Sequence, residues 1–341
     1  MAGRVTQAQV ARIAGVSQAI VSLVLNGSDS VRVSPETRRR VEEALRSTGY
    51  TVDIMGRRLR GKTNQILGVF TYESVFPSGV ADFYRPFLLG IEEEAEARGF
   101  DLLLFTSPGR KDGRRRVYEG ETNRLRIADG CVLLGRHNDP AELARLVEEK
   151  FPFVFIGRRE SPSGAVSYVG ADYVASTKDV YEWMWRLGHR KIALLSVPEE
   201  HEPTVDRRAG YQAAARRHRK TPLIVVEDDP EVALRKAGDA TALLVESTAM
   251  ADGVKAYAET RGIEVPKDLS MVLLGDPDPT QRLSAHPVPR SDTDWSMFRI
   301  PRRQMGARAV RMLIELVAGG RPKSVLLPCE IHEGATAAAR N

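Results

Sequence analysis

The chain has 341 residues, of which 42% are hydrophobic and 28% are charged. These values are typical of a soluble globular protein with room for two or three domains, and they exclude a disordered tail, a fibre and a disulfide-stapled miniprotein. Two cysteines are too few for a disulfide framework, and no apolar run reaches the roughly 18 residues of a membrane helix. No apolar leader follows Met1, so we expect a cytoplasmic protein without a membrane span.

Positive charge is concentrated at the N terminus. Residues 1–62 hold ten arginines and one lysine against five acidic residues, a net charge of +6. Because the whole chain carries +5, the remaining residues sum to −1. A basic module joined to a nearly neutral body indicates a nucleic-acid-binding head, with an ordinary solvated charged surface as the alternative.

The basic module carries the signals of three short helices. Thr6 and Gln9 form a capping-box pattern, which predicts a first helix over 7–14. Ser17 is a good N-cap for a second helix after a glycine turn, and the serine–proline pair at 34–35 starts a third. Two short helices joined by a glycine turn form a helix-turn-helix, and three such helices can bury one small core.

The second helix is the candidate DNA reader. In a helix-turn-helix it enters the major groove with residues near its N terminus facing base edges. Gln18 can contact adenine through two hydrogen bonds, whereas Ala19 and Leu23 offer apolar contact to a thymine methyl group. The candidates for phosphate contacts are Thr6, Ser17, Ser22 and Asn26. A protein-docking module is the alternative, and the positive charge opposes it.

A dense, ordered series of motifs runs through this module. The strings VARIAGVS at 10–17 and VSLVLNG at 21–27 are followed by VSPETR at 33–38. Together they resemble the DNA-binding head of the lactose repressor and galactose repressor family of bacterial transcription regulators. The resemblance implies a homodimeric repressor that binds double-stranded operator DNA. We expect no cofactor or metal, since the cysteines and histidines show no ligand spacing. Leu23 departs from the pattern, because many members have an arginine there that reads guanine.

The next residues, 51–63, resemble the hinge helix of that family, which folds on DNA and pushes a leucine into the minor groove. Leu59 matches that leucine and follows Arg57 and Arg58. Such an apolar wedge can unstack a base step and bend the duplex. Gly56 replaces a typical alanine and should weaken the helix by about 1 kcal/mol. A plain basic linker is the alternative.

Beyond residue 64, short apolar runs alternate with helical patterns. Strands are predicted at 66–70, 101–105, 130–134, 153–156, 191–195, 223–226, 242–245, 270–274 and 325–327. Helices are predicted at 86–98, 114–126, 140–149, 174–187, 206–218, 250–261 and 302–318. This alternation predicts an α/β body of two subdomains, each with a parallel sheet covered on both faces.

The order of these elements resembles the two-lobed, periplasmic-binding-protein-like body of the same family. The resemblance implies a head at 1–50, a hinge at 51–63 and a ligand-binding and dimerisation body at 64–341. Three crossings between lobes place the first lobe at about 64–160 and 298–324, and the second at about 161–297 and 325–341. A small molecule then binds in the cleft between the lobes, at the carboxyl ends of the strands.

The resemblance also points to ligand contacts. Arg207 matches an arginine that grips a ligand hydroxyl or carboxylate, and aromatic or apolar contacts correspond to Phe83, Tyr84 and Phe87. Asp276 follows the strand that usually carries an aspartate pair. The remaining candidates are Arg158, Asp172, Ser247 and Trp295.

Three polar sugar contacts of the family are replaced, since Gly275, Ser247 and Gly157 stand where aspartate, asparagine and aspartate are usual. Each deleted charge-assisted hydrogen bond costs about 1.5–3 kcal/mol. A sugar or sugar derivative is the first expectation for the effector, and a nucleobase or small acid is the alternative. A solute-binding protein without a DNA role is opposed by the basic head. An enzyme is not supported, because no Ser-His-Asp order or phosphate-binding glycine loop stands out.

Overall fold

The computed structural model describes residues 5–25, 33–50, 63–73, 81–106, 115–136, 138–277 and 292–340. Contacts divide the chain into two units, Met1–Asn64 and Gln65–Asn341. In these described ranges no single helix is long and apolar enough to cross a membrane. The bent pair Gln7–Ala14 and Gln18–Leu25, which meets at 103°, reaches that length and composition only when taken together.

The first unit contains the three helices that the sequence predicts, Gln7–Ala14, Gln18–Leu25 and Pro35–Thr48. The capping box is present, because the Thr6 hydroxyl accepts from the Gln9 amide at 3.3 Å and the Gln9 side chain accepts from the Thr6 amide at 2.7 Å. Gly15 ends the first helix at φ 64°, a left-handed conformation that glycine adopts without strain. The helices bury one small core, formed by Val10, Ala11, Ala14, Val21, Val24, Val41 and Ala44.

The second unit alternates strands with helices. Its strands in chain order are β1 (Ile66–Thr71), β2 (Asp101–Phe105), β3 (Tyr118–Glu119), β4 (Thr122–Asn123), β5 (Gly130–Leu134), β6 (Phe153–Ile156), β7 (Tyr168–Ala171), β8 (Ile192–Ser196), β9 (Leu223–Val226), β10 (Ala242–Val245), β11 (Ser270–Leu273), β12 (Ser296–Arg299), β13 (Ser324–Leu327) and β14 (Glu330–His332). Its helices are Ala81–Ala97, Pro140–Glu148, Tyr173–Arg186, Glu202–Arg217, Pro230–Ala237, Thr248–Thr260 and Arg302–Val317. The predicted α/β class is confirmed.

The strands form two six-stranded sheets that define two lobes. The first sheet has the order β13-β7-β6-β5-β1-β2 with parallel neighbours throughout, and the second has the order β14-β12-β11-β10-β8-β9. In the second sheet β14 runs antiparallel to β12. Near-continuous burial of the central strands, as in β5, reflects helices on both faces of the sheet.

The chain crosses between the lobes later than the predicted boundaries of 160/161, 297/298 and 324/325. β7 pairs with β6 and β13 in the first sheet, and β12 pairs with β11 in the second. The crossings therefore follow Ala171, Arg299 and Leu327. The predicted boundaries divide β12 and β13, which are short strands whose sheet partners are distant in sequence.

Several elements differ from the prediction, including strands β7, β12 and β14, which are absent from the predicted set. The helix expected at 114–126 is instead the hairpin β3–β4 and a short 3₁₀ turn, because Gly120 lies between the strands at φ 58° and ends any helix. The helix Pro230–Ala237 was not predicted. Its start is nonetheless visible in the sequence, since Asp229 caps the amides of Glu231 and Val232 at 2.8 and 3.1 Å and Pro230 follows the cap.

Helices Ala81–Ala97 and Arg302–Val317 pack closely on the first sheet. A Cβ added at Gly90 would lie 1.9 Å from the backbone oxygen of Arg303, and one at Gly306 would lie 2.2 Å from that of Phe87. The two glycines therefore let the helix backbones touch. This contact fixes the start of each helix beside the gap between the lobes.

Candidate functional site

The second head helix exposes part of the predicted DNA-reading surface. Gln18 and Ala19 are exposed at its first turn, whereas Ser22 and Leu23 are half-buried. Val21 is fully buried and fixes which face of the helix points outward. The hydroxyl of exposed Ser17 accepts from the Ile20 amide at 3.4 Å. A serine hydroxyl that accepts in this way still has a hydrogen to donate to a phosphate.

Not all of the remaining DNA-contact candidates lie among the described residues. Thr6 is exposed at the start of the first helix, where it forms the capping box. Four candidates lie outside the described residues, namely Asn26, Arg57, Arg58 and Leu59. Their contacts with DNA stay predictions.

A cleft of about 560 Å³ lies between the two sheets of the body. Its walls are the segments that follow the strands, including Gly135 after β5, Gly157 after β6, Val197 after β8, Ser247 after β10 and Asp276 after β11. Both lobes thus present the carboxyl ends of parallel strands to one space. That is the place where open α/β sheets bind ligands.

The structure brings most of the predicted ligand contacts together in this cleft. The lining includes Phe83, Tyr84, Phe87, Arg158, Arg207, Ser247 and Asp276. Asp172 is not in the lining, because its carboxylate caps helix Tyr173–Arg186 by accepting from the Ala175 amide at 2.9 Å. Trp295 is also outside the lining, since it is buried in the core of the second lobe. Ligand binding by the lining residues stays a prediction.

The first-lobe wall is aromatic and positively charged. The guanidinium carbons of Arg136 and Arg302 lie 5.0 and 4.7 Å from the centre of the Phe83 ring. Buried Tyr84 donates to Glu73 at 2.7 Å, and burial, reinforced by Glu73, raises the pKa of its hydroxyl. The rings are therefore held in place by charged neighbours before any ligand arrives.

Arg207 projects from helix Glu202–Arg217 over the ring of Tyr173, with its guanidinium carbon 4.7 Å from the ring centre. Its Nε is buried and has no hydrogen-bond acceptor among the described residues. Gly275 leaves room for it, since a Cβ there would lie 3.2 Å from Nη2. A buried guanidinium nitrogen without an acceptor is costly unless a ligand completes its hydrogen bond.

Glu246, which is not among the predicted ligand contacts, is a second incompletely hydrogen-bonded group. It follows β10 and is 8% exposed. Oε2 accepts from the hydroxyl of Ser196 at 3.0 Å and from the amide of Val197 at 3.3 Å, but buried Oε1 has no partner in the described chain. Burial raises the pKa of this carboxyl, while Arg207 opposes the rise. The only sequence signal is a charged residue directly after an apolar run.

Besides the pair of Arg302 with Asp276 at 3.7 Å, two ion pairs join the lobes beside the cleft. Arg158, after β6, donates to Asp206 through Nη2 at 2.8 Å and through Nε at 3.3 Å. Arg159 donates to Glu202 at 2.8 Å and to the backbone oxygens of Gly135 and Arg136 at 2.9 and 3.2 Å. Both acidic partners lie in the first turns of helix Glu202–Arg217. The pairs therefore link the end of a first-lobe strand to a second-lobe helix.

The described ranges contain no recognisable metal site. No group of three or more histidine, cysteine, aspartate or glutamate side chains there could hold a metal ion. Cys131 and Cys329 are both free thiols.

Comparisons with known proteins follow the same division into head and body. Residues 6–53 match the family described as bacterial regulatory proteins, lacI family. Residues 73–246, more than half of the chain, match the periplasmic binding proteins and sugar binding domain of LacI family, and residues 181–337 match a periplasmic binding protein-like domain. The chain belongs to the LacI family of bacterial regulators. The predicted family is thus confirmed.

Similar proteins cover nearly the whole chain of this LacI family member. It is 29% identical to the HTH-type transcriptional regulator CelR of Thermobifida fusca, over 96% of each chain. The structure of a CelR–cellobiose complex shares the fold, with a TM-score of 0.60 at 24% identity over 98% of this chain and 100% of that one. The lac repressor dimer bound to operator and the anti-inducer ONPF does so with a TM-score of 0.70 at 21% identity, over 99% and 100%.

These findings identify the class of protein. Its relatives are HTH-type transcriptional regulators and repressors, and its head matches the DNA-binding part of the family. The chain is a DNA-binding transcriptional regulator rather than an enzyme, as the sequence predicts.

Proposed function

We propose that the chain is a cytoplasmic homodimeric repressor whose affinity for operator DNA is controlled by a small neutral sugar or sugar derivative bound in the cleft. The observation that supports a ligand is that aromatic rings and polar side chains, including Arg207 with its unpaired Nε, line one space. Phe83 and Tyr173 supply ring faces or edges, Arg207 supplies donors and Asp276 supplies acceptors. Sugar rings offer apolar C–H surfaces, and each hydroxyl both donates and accepts, so they match such a lining.

The charge of the cleft favours a neutral ligand. Its described lining contains five arginines and seven acidic residues, a formal balance of −2. All seven acids lie on the second-lobe side, namely Glu199, Glu202, Asp206, Glu227, Asp228, Glu246 and Asp276. A phosphate or carboxylate group would be attracted by the arginines of the first-lobe wall but repelled by the acids of the second, whereas hydroxyl groups can bond to both signs of charge.

The comparisons support a sugar. The family description matched by residues 73–246 includes a sugar binding domain, and the structurally similar CelR is described in complex with cellobiose. Three usual sugar contacts are replaced here, by Gly157, Ser247 and Gly275. The preferred sugar is therefore expected to be bound through a different set of side chains.

The head supports operator binding by a dimer. Gln18 and Ala19 are exposed on a short helix of a basic module, and the similar lac repressor structure is a dimer on operator DNA. A dimer presents two such helices to half-sites about one helical turn apart, so we expect a pseudopalindromic site. Phosphate contacts supply affinity, and base contacts supply the choice of sequence.

The test combines DNA selection with ligand addition. Duplexes selected from a randomised pool by the full-length protein serve as anisotropy probes, with cellobiose, maltose, galactose, ribose, glucose 6-phosphate and adenine added in separate titrations. We expect one of the neutral sugars to change the DNA Kd and raise the unfolding midpoint. Arg207→Ala should lose that response and keep the sugar-free DNA Kd. Selection of no preferred sequence, or a response only to glucose 6-phosphate or adenine, would contradict the proposal.

A further inference from the structure

We infer that Glu246 is a sugar-binding residue, and that it forms with Arg207 a donor–acceptor pair that grips adjacent hydroxyl groups. This assignment rests on the proposed function and deepens it. Glu246 is not among the residues that the family resemblance implies. It stands directly before Ser247, which itself takes the place of a usual polar contact.

The first argument is that the carboxylate is positioned but only half used. The backbone amide of Glu246 donates to the Leu195 oxygen at 3.1 Å, which holds the residue at the end of β10. Oε2 is fixed by Ser196 and Val197, and Arg208 in turn donates to the Ser196 hydroxyl at 2.8 Å. Oε1 is left without a partner in the described chain. A carboxylate held on one oxygen presents the other in a defined direction.

The second argument is the position of Arg207. The two charged groups attract each other, yet their nitrogen and oxygen atoms do not come within the 4.0 Å of a salt bridge. Each keeps a buried atom without a hydrogen bond, Nε on Arg207 and Oε1 on Glu246. Both residues line the cleft. The gap between them suits a group that accepts from the guanidinium and donates to the carboxylate.

The chemistry of such a group is that of a hydroxyl pair. A hydroxyl has one donor and two acceptor sites, so neighbouring hydroxyls can satisfy both residues together. A carboxylate or phosphate ligand could bond to Arg207 but would be repelled by Glu246. The pair therefore selects a neutral sugar with adjacent hydroxyls at this end of the cleft.

A purely structural role for Glu246 would look different. Buried polar groups that hold a fold together have their hydrogen bonds satisfied, because each unsatisfied group costs free energy of folding. Burial of Glu246 with one free oxygen raises its pKa, which means that folding disfavours its charged form. The carboxyl is therefore left incompletely satisfied at Oε1 in the ligand-free protein, as expected of a group kept for binding.

The test separates binding from stability. Wild-type protein, Glu246→Gln and Glu246→Asp are titrated by calorimetry with cellobiose, maltose, galactose and ribose, with glucose 6-phosphate as the anionic comparison. Glu333→Gln is the matched control, since Glu333 is exposed and lies outside the cleft lining. We expect Glu246→Gln to weaken the sugar that binds wild type by about tenfold to 150-fold. The control should bind like wild type.

Thermal unfolding at pH 7.5 without ligand provides the second readout. Glu246→Gln should match or exceed the wild-type midpoint, because it removes a buried charge. A lowered midpoint with unchanged sugar affinity would overturn the assignment of Glu246 and leave the proposed function standing. Wild-type protein that binds glucose 6-phosphate but no neutral sugar, or none of the five probes, would refute both. Glu246→Asp keeps the charge with a shorter reach, so unchanged affinity in this variant would also count against the assignment.

Discussion

Replacing Glu202 by glutamine tests whether the ion pair with Arg159 holds the lobes together. The Arg159 side chain is 6% exposed and donates to Glu202 at 2.8 Å, whereas Glu202 is 34% exposed. Removing one partner of a fully buried pair costs about 3–5 kcal/mol, because the other charge stays buried. Here the cost is smaller, since water reaches the Glu202 side and glutamine keeps an acceptor. We expect Glu202→Gln to lower the free energy of unfolding by about 1–2 kcal/mol.

Urea unfolding followed by tryptophan fluorescence provides the measurement, because all three tryptophans lie in the body. A double-mutant cycle with Arg159→Met isolates the pairwise term. Glu259→Gln is the control, since the exposed pair of Glu259 with Lys255 should contribute no more than about 0.5 kcal/mol. A coupling between Arg159 and Glu202 no larger than that of the control pair would refute the interlobe role.

Three further outcomes are expected. Gly90→Ala should separate two helices, because its Cβ would lie 1.9 Å from the Arg303 oxygen. We expect the thermal midpoint to fall and the free energy of unfolding to drop by at least about 1–3 kcal/mol. An unchanged midpoint would mean that the helices are not in backbone contact. Thr6→Ala removes one half of the capping box with Gln9 and should cost the head about 1 kcal/mol, measured by circular dichroism of a fragment and of the full chain. Raising the salt concentration from 50 to 200 mM should weaken DNA binding by about 10³-fold or more if each dimer contacts six or more phosphates. An anisotropy titration measures this dependence. A DNA Kd that does not change with salt would exclude phosphate-driven binding.

The three helices of the head could be predicted from the sequence. These helices depend on local signals, such as the capping box at Thr6 and the serine–proline start at 34–35, which act within a single turn. Central strands of the body were also predictable, since 130–134 is an uninterrupted apolar run that must be buried on both faces. These features depend on neighbouring residues alone.

Some of the features that were missed depend on contacts distant in sequence, and others on local signals that were not recognised. β12 belongs to the second sheet through pairing with β11 and β14, and no local period in Ser296–Arg299 indicates which sheet it joins. Asp172 was a plausible ligand contact by composition, but the following residues form a helix that it caps. Glu246 was overlooked because its significance lies in an unused oxygen, which only the packing around Ser196 and Arg207 reveals.

The most direct measurement of the link between cleft and head is an anisotropy titration of the selected operator duplex with and without a saturating neutral sugar. A coupled regulator should show a DNA Kd that changes about fivefold to 150-fold on sugar addition, which corresponds to 1–3 kcal/mol. The same sugar must bind operator-loaded protein with an affinity altered by the same factor. A DNA Kd that stays constant while calorimetry shows the cleft to be filled would contradict the proposed regulation.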